Sequence, residues 1–377
     1  MTVGYDFIVV GAGIAGASAA YRLVDHGATV LLEMEEWPGY HSTGRSAAQF
    51  TELYGNGPIR ALVRLSKDFL DSPPDGFAGA PILTPRGAMF VATGAQRDAI
   101  QAFLDMARQE NCLARELDVA GARSVVPVLR ASAFESAVLE PESADIDVHA
   151  LHGGFLRGFQ AGGGRAVTNA EAKKIERIDG NWRVDTSSGT YEAPVLVNAA
   201  GAWGDVIAAR AGVCTIGLQP KRRTVILFDP PQDEDVSDWP LVIDAEENWY
   251  FKPEAGKVLA SPADETPTEP CDAQPEELDI AVVVDAIEQM TTMKVGRISH
   301  SRAGLRTFAN DKTPVLGFAP NAQGFFWLAG QGGYGIETSP AMGVAAASLI
   351  VDGCLPDEFT DAGVTEKVLS PRRFVKA

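Results

Sequence analysis

A chain of 377 residues that is 46% hydrophobic can build one large or two interleaved domains with real cores. Its formal charge of −18, from 50 acidic against 32 basic side chains, argues against nucleic acid or an anionic membrane as a main partner and is accounted for by solubility. No apolar run reaches the roughly 18 uninterrupted residues of a membrane span, no basic leader precedes the first apolar run, and Cys112, Cys214, Cys271 and Cys354 lack Cys-x-x-Cys spacing, as expected of reduced thiols in the cytoplasm or on the inner face of a membrane.

In chain order, the first unit is the apolar run Phe7-Ile8-Val9-Val10, a Gly11-Ala12-Gly13-Ile14-Ala15-Gly16 turn, a small-residue helix to about His26, and a second apolar run Thr29-Val30-Leu31-Leu32 ending at Glu33. This is the pattern of a dinucleotide-binding βαβ unit. Gly11 permits the tight turn, Gly13 lets the backbone approach a pyrophosphate, and Gly16 lets helix and strand pack closely. The helix N-terminus offers N–H groups to phosphate. Glu33 follows Gly16 by 17 residues, where a carboxylate accepts from ribose hydroxyls and repels a 2′-phosphate, so NADP is disfavoured.

The stretch Ser42-Thr43-Gly44-Arg45-Ser46-Ala47-Ala48 combines hydroxyls, one guanidinium and small residues. Ser42, Thr43 and Arg45 suit phosphate oxygens, and Ser46 to Ala48 would let a flat ring lie against backbone; a polar loop leading into a helix is the simpler alternative. His41 is expected to be a structural hydrogen-bonder. Strands are expected within Pro81–Thr93, then a helix Ala95–Glu110, a helix Val148–Gln160, a flexible Gly162-Gly163-Gly164 loop, strands Ala166–Asn169 and Ala172–Ile178, and a meander over Trp182–Ala193. Asp145, Asp147, His149 and His152 read as a capped helix start and not as a metal site. Val195-Leu196-Val197-Asn198 is a buried parallel strand whose end supports the cofactor. Antiparallel strands Leu218–Phe228, Leu241–Asp244, Trp249–Lys252 and Lys257–Ser261, a helix Glu277–Met290 and a strand ending at Phe308 then wall a pocket.

The last apolar strand, Gly324–Ala329, enters Gly330-Gln331-Gly332-Gly333-Tyr334-Gly335, a second glycine motif with no acidic strand after it. Its use is close backbone approach to a bound ring, with a helix capped by Ser339 aimed at that ring. One complete dinucleotide site suits a flavin enzyme that does not also use NAD(P)H.

With His41–Ala48, Leu218–Arg223, Ala303-Gly304-Leu305-Arg306, Gln331–Ile336 and Leu369–Arg373, the chain resembles the FAD-dependent D-amino acid oxidase family over nearly its whole length, and within it the bacterial D-arginine dehydrogenase group. The resemblance implies an α/β fold: a Rossmann-like FAD-binding domain of the D-amino acid oxidase and glutathione reductase type (1–80, 140–217 and 309–377), interleaved with an α+β substrate domain on a mainly antiparallel sheet (81–139 and 218–308). It implies non-covalent FAD held by Gly11, Gly13, Ile14, Ala15, Gly16, Glu33, Met34, Ser42, Thr43, Arg45, Ser46, Ala47, Ala48, Ala172, Ala200, Gly201, Trp203, Arg306, Gly332, Gly333, Tyr334, Gly335, Ile336, Glu337 and Thr338.

The implied reaction is hydride loss from Cα of a D-amino acid, giving an imino acid that water hydrolyses to a 2-oxo acid and ammonia. The electron acceptor is O2 or a quinone of a respiratory chain. Carried over by position, Arg306 and Arg223 face the substrate carboxylate, Tyr54 and Tyr250 contact it, and the carbonyl of Gly333 receives the amine. Where D-arginine dehydrogenase has a glutamate for the substrate guanidinium this chain has Ala88, and the histidine and glutamine positions hold Gln49 and Glu337. With Phe50, Leu241, Ile243, Trp249 and Phe251 nearby, neutral or apolar D-amino acids are expected over D-Arg and D-Lys. Two alternatives stand beside this reading: oxidation of a secondary amine or a 2-hydroxy acid, and a flavin-binding protein without turnover.

Overall fold

A computed structural model describes residues 2–232 and 234–374. The apolar runs form a six-stranded sheet in the order Arg165–Val167, Thr29–Leu32, Phe7–Val10, Val195–Asn198, Phe325–Ala329 and Val315–Phe318, parallel except for the last strand. Alternation along each strand divides two cores. Val9, Leu31, Val197, Phe326 and Leu328 face the helices Ile14–Leu23 and Ser339–Val351, whereas Ile8, Val30, Leu196, Phe325 and Trp327 face a layer containing Trp182, Val184 and Tyr191. Those three belong to a second, four-stranded sheet, Thr2–Gly4, Gly189–Ala193, Asn181–Thr186 and Ala172–Ile178.

The third sheet holds ten strands. Its main path runs Gln331–Gly332, Ile298–Phe308, Gln219–Phe228, Lys257–Ser261, Tyr250–Glu254, Leu241–Asp244, Ala88–Ala92, Ser136–Glu140 and Arg115–Leu117, with Thr266–Pro267 paired off it onto Gln219–Phe228. All neighbours are antiparallel except Leu241–Asp244 with Ala88–Ala92. One face packs against the helix Glu277–Met290, burying Ile226, Val242, Trp249 and Phe251 with Val283 and Ile287. A three-stranded sheet of Gln49–Phe50, Ala144–Ile146 and Leu83–Pro85 joins the layers.

Several expected elements move. The helix expected over Ala95–Glu110 spans Arg97–Gln109, and a helix over Gly57–Asp71 is absent from the expected elements. Ser339 is not a cap: it is the first residue of its helix, Thr338 takes the cap position without a capping bond, and the Ser339 hydroxyl donates to the Ile336 carbonyl at 2.8 Å. Gly164 is more than loop punctuation, because a Cβ there would come within 2.0 Å of the Phe159 ring. Asp147 does cap its helix, accepting from the Ala150 N–H at 2.8 Å. Among the described residues no helix is long and apolar enough to cross a membrane, and no cluster of His, Cys, Asp and Glu could hold a metal ion.

Candidate active site

One cavity runs from the first glycine turn, past residues 39–49, to the ten-stranded sheet. At its first end, Gly11 has φ +100° and a Cβ there would lie 2.5 Å from the Ala199 carbonyl, so the sharp turn and the neighbouring strand both require glycine. Ala12 N–H donates to Glu33 at 2.8 Å and Ile14 N–H to the Thr43 hydroxyl at 3.0 Å. The N–H groups of Gly13 and Ala15 have no partner among the described residues. A ready anion site at a helix N-terminus results. Burial raises the proton affinity of the Glu33 carboxyl, opposed by hydrogen bonds from the N–H groups of Glu35 and Ala12. Behind the turn, Nε2 of buried His152 lies 2.9 Å from the Ala12 carbonyl, and burial lowers its pKa.

At the other end, Arg306 lies in the strand Ile298–Phe308 and Arg223 in its antiparallel neighbour. The Arg306 guanidinium donates to the Tyr54 hydroxyl at 2.8 Å, and Tyr54 in turn donates to Glu247 at 3.0 Å. Rings of Tyr54, Phe308 and Tyr334 surround it, with centroids 5.6–6.0 Å from its central carbon. Its Nη1 is sealed from solvent without a hydrogen-bond partner, and the Glu265 carboxylate is 3.7 Å away. Burial works against the guanidinium charge, but the facing tyrosines Tyr54, Tyr334 and Tyr250 more than offset it and its pKa rises. Arg223 donates from Nε to the Asp264 carbonyl at 2.8 Å and lies over the Tyr250 ring. The same Glu265 oxygen is 3.7 Å from both arginines, and Lys221 holds the other oxygen at 2.7 Å. Burial pushes the Tyr54 and Tyr334 phenols up, so both stay protonated at neutral pH. Gly333 lies against the Arg306 guanidinium so closely that a Cβ would come within 1.6 Å of it.

A family model described as FAD dependent oxidoreductase matches residues 6–349. The chain belongs to that family. Glycine oxidase of Geobacillus kaustophilus is 23% identical over 93% of this chain and 94% of its own length, and its crystal structure superposes with a TM-score of 0.83 over 92% of this chain and 94% of that one, at 21% identity. Monomeric sarcosine oxidase of Bacillus sp. strain B-0618 is 21% identical over 63% of this chain and 61% of its own length. L-α-glycerophosphate oxidase of Mycoplasma pneumoniae, solved with FAD bound, has a TM-score of 0.82 at 16% identity, covering 92% of this chain and 95% of that one.

The family's cofactor, FAD, fits what lines the cavity. Unpartnered N–H groups at the helix start and Glu33 suit the pyrophosphate and ribose, and the backbones of Ala47, Ala48, Gly304, Gly332, Gly333 and Gly335 offer surfaces bare enough for a flat ring. Of the residues expected to hold it, Gly11, Gly13, Ile14, Ala15, Glu33, Met34, Ser42, Thr43, Arg45, Ser46, Ala47, Ala48, Ala172, Ala200, Gly201, Trp203, Arg306, Gly332, Gly333, Gly335, Ile336 and Glu337 line the cavity. Gly16, Tyr334 and Thr338 do not. Gly16 acts from behind, since a Cβ there would come within 1.8 Å of the Gly11 carbonyl. Tyr334 packs on Tyr54 with ring centroids 4.9 Å apart, and Thr338 is fully buried, its hydroxyl donating to the Tyr334 carbonyl. Arg45 turns away from the glycine turn: it donates to the carbonyls of Ala273 and Ala303 and pairs with Asp272, so its guanidinium is committed to the protein and not to phosphate. Ser42 likewise donates to the Leu305 carbonyl. His41 is the structural hydrogen-bonder expected, 2.9 Å from Glu35.

Of the residues expected at the substrate, Gln49, Tyr54, Ala88, Arg223, Leu241, Ile243, Tyr250, Arg306, Gly333 and Glu337 come together on the cavity. Phe50 does not; it is 2% exposed, in a core with Ile59, Val63 and Phe155. Trp249 and Phe251 also miss it, because strand alternation turns them to the helix layer while Tyr250 between them faces the cavity. Gln49 donates to Ser143 at 2.8 Å. Glu247, Thr51 and Phe90 line the cavity without having been expected there, and Glu265 approaches both arginines. Glu247 had a turn signal only, in Ala245-Glu246-Glu247-Asn248.

Proposed function

We propose that this protein oxidises the Cα–N bond of a D-amino acid to an imino acid, which water hydrolyses to a 2-oxo acid and ammonia, and that neutral or apolar D-amino acids are preferred over D-Arg and D-Lys. FAD, when bound, supplies the hydride acceptor. The observation that carries the reading is the half-buried pair of arginines, Arg306 and Arg223, at the end of the cavity remote from the glycine turn. A planar guanidinium recognises a carboxylate through two parallel hydrogen bonds, and Arg306 is held for that task by Tyr54 and by the backbone of Gly333. With the carboxylate on Arg306 and Arg223 and the amine toward the Gly333 carbonyl, the substrate has two fixed points, and Cα is presented in one orientation. Ala88, Phe90, Leu241 and Ile243 wall the side-chain region without a charge, which supports the neutral preference. The carboxylate of Glu247 is engaged by Tyr54.

The reading includes kinship with D-arginine dehydrogenase within the family, and a division of the chain in which 1–80, 140–217 and 309–377 bind the cofactor and 81–139 and 218–308 bind substrate. It includes a cytoplasmic or membrane-peripheral location, in keeping with four free cysteines, and O2 or a quinone as acceptor. A second reading, oxidation of glycine or of a secondary amine such as sarcosine, is favoured by the likeness to glycine oxidase and sarcosine oxidase. Anaerobic bleaching of the flavin band by D- and L-amino acids, glycine, sarcosine and 2-hydroxy acids separates the two. Bleaching by neutral D-amino acids is the expected result. Bleaching by sarcosine or 2-hydroxy acids alone would replace the substrate class, and an unbleached flavin with every compound would point to a non-catalytic flavoprotein.

A further inference from the structure

We infer that Glu337 takes the proton that the substrate ammonium loses before oxidation. The N–H bond to that proton breaks, an O–H bond forms on the Glu337 carboxylate, and a neutral amine and a neutral carboxylic acid remain side by side. This inference rests on the reading of the protein as an oxidant of amines.

Glu337 lies in the turn before the helix Ser339–Val351, is 3% exposed, and lines the cavity together with Gly333 and Thr51. Its Oε2 accepts the Thr51 N–H at 3.2 Å, and among the described residues Oε1 makes no hydrogen bond. Behind Thr51 stands a second buried carboxyl, Glu140 at the end of the strand Ser136–Glu140, both of whose oxygens lie within 2.9 Å of the Thr51 hydroxyl. Among the described residues no basic side chain forms an ion pair with either carboxyl. The groups facing Glu337 are therefore Glu140 across Thr51, Tyr334 from its own turn, and Arg306 from the strand Ile298–Phe308, with Glu52 acting on Glu140. The Thr51 N–H and then Arg306 favour a charge on Glu337, and the contacts of Arg306 are with Tyr54 and Glu265.

Burial first, then the neighbouring Glu140, gives the Glu337 carboxylate a proton affinity well above the ordinary range, and burial pushes Glu140 up to about 7. In such a place an ammonium–carboxylate pair bears two desolvation penalties, and one proton transfer removes both. A backbone carbonyl such as that of Gly333 can accept a hydrogen bond from the amine but cannot take its proton. A glutamine at 337 could do no more.

The test uses the FAD-loaded enzyme and Glu337→Gln, with the amino acid that bleaches the wild type fastest. If Glu337 takes the proton, the wild-type kcat/KM rises with pH and levels off once Glu337 ionises in the free enzyme. In Glu337→Gln it keeps rising until the free amino acid itself loses its proton. The expected defect is on the order of 100-fold near pH 7 and shrinks steadily as the pH approaches the ammonium's own ionisation. Isobutyrate, which has the carboxylate without the amine, is expected to perturb the flavin spectrum of both proteins at the same concentration, which establishes that the variant is folded and its carboxylate clamp intact. Glu337→Asp retains a titrating carboxyl and is expected to keep the levelling of the profile. A defect of constant size at all pH values, no defect, loss of isobutyrate binding in parallel, or an aspartate profile like that of glutamine would each overturn the inference. A wild type that no amine bleaches would instead overturn the reading beneath it.

Discussion

The Arg306 guanidinium is enclosed by three aromatic rings, donates to one phenol, and has a carboxylate at 3.7 Å that is too far for a hydrogen bond. A charge so enclosed, with Nη1 unpartnered, is held short of its full bonding capacity. On the proposed function a substrate carboxylate would restore what is missing, and hydrogen bonds to a charged group are worth roughly 1.5–3 kcal/mol each. Arg306→Ala is therefore expected to raise KM on the order of 100-fold or more while FAD remains bound; steady-state kinetics beside the flavin absorbance checks this, and an unchanged KM would remove Arg306 from the substrate site. Arg306 and Arg223 were legible through the family resemblance, since an arginine alone reads as an ordinary surface ion pair. Glu247 and Glu265 were not legible, because each sits in a polar connector and meets the arginines or Tyr54 only through pairing of residues far apart in sequence. Arg45 shows the opposite failure: its residue type suited phosphate, but the acceptors that claim it, Asp272 and the carbonyls of Ala273 and Ala303, come from distant segments that no local pattern reveals.

Among the elements, the glycine turn and its helix were read from the sequence in detail because the constraint there is local. Gly11 has φ +100°, and Gly16 stands one helical turn further on with its Cα against the Gly11 carbonyl. The apolar strands were equally plain, since both faces of the parallel sheet are buried and the runs are continuous. By contrast, the helix Gly57–Asp71 went unread even though Asn56 caps it, accepting from the Ile59 N–H at 3.2 Å, and Pro58 occupies its first turn. Its apolar residues, Ile59, Leu62, Val63 and Leu70, are interrupted by arginines and a lysine that pair with Glu110 and Glu52, so its average hydropathy hides its periodicity. The Ser339 cap failed for a related reason: the preferred residue was present, but the chain is already helical there and the hydroxyl turns back to Ile336. Gly16→Ala tests the close approach at the cofactor turn. The added methyl must displace a backbone carbonyl in the turn that carries Gly11, so the variant is expected to lose most of its FAD and to unfold at a lower temperature than wild type. Flavin content after desalting and a thermal melt measure both effects, and wild-type values for the two would mean that the helix can move away without disturbing the turn.

The cavity is where the sheets of the whole molecule meet. The six-stranded sheet contributes Val10 and the turn after it, and the four-stranded sheet contributes Ala172. Gln49 comes from the three-stranded sheet, and Arg223, Tyr250 and Arg306 come from the ten-stranded sheet. Chain crossings between these layers are frequent, so that residues 39–51 run from the glycine turn to the end that holds Arg306 and Arg223, and residues 330–338 return from the ten-stranded sheet to the helix Ser339–Val351. FAD bound in this cavity would therefore be a shared boundary of the layers and not an appendage of one of them. A ligand that binds only where several layers are in place stabilises the native state by mass action, by about 4 kcal/mol when its free concentration is a thousand times its dissociation constant. In a chain of this size that corresponds to a rise in Tm of roughly 5–10 °C, growing with the logarithm of the FAD concentration. Because the boundary is shared, the whole chain is expected to respond, with far-UV circular dichroism and tryptophan fluorescence shifting together as FAD is added to apoprotein. Trp182 and Trp327 report from the six-stranded and four-stranded layers, and Trp239 and Trp249 from the ten-stranded sheet and its helices. Two transitions, only one of which moves with FAD, would show that the cofactor holds one half of the molecule alone.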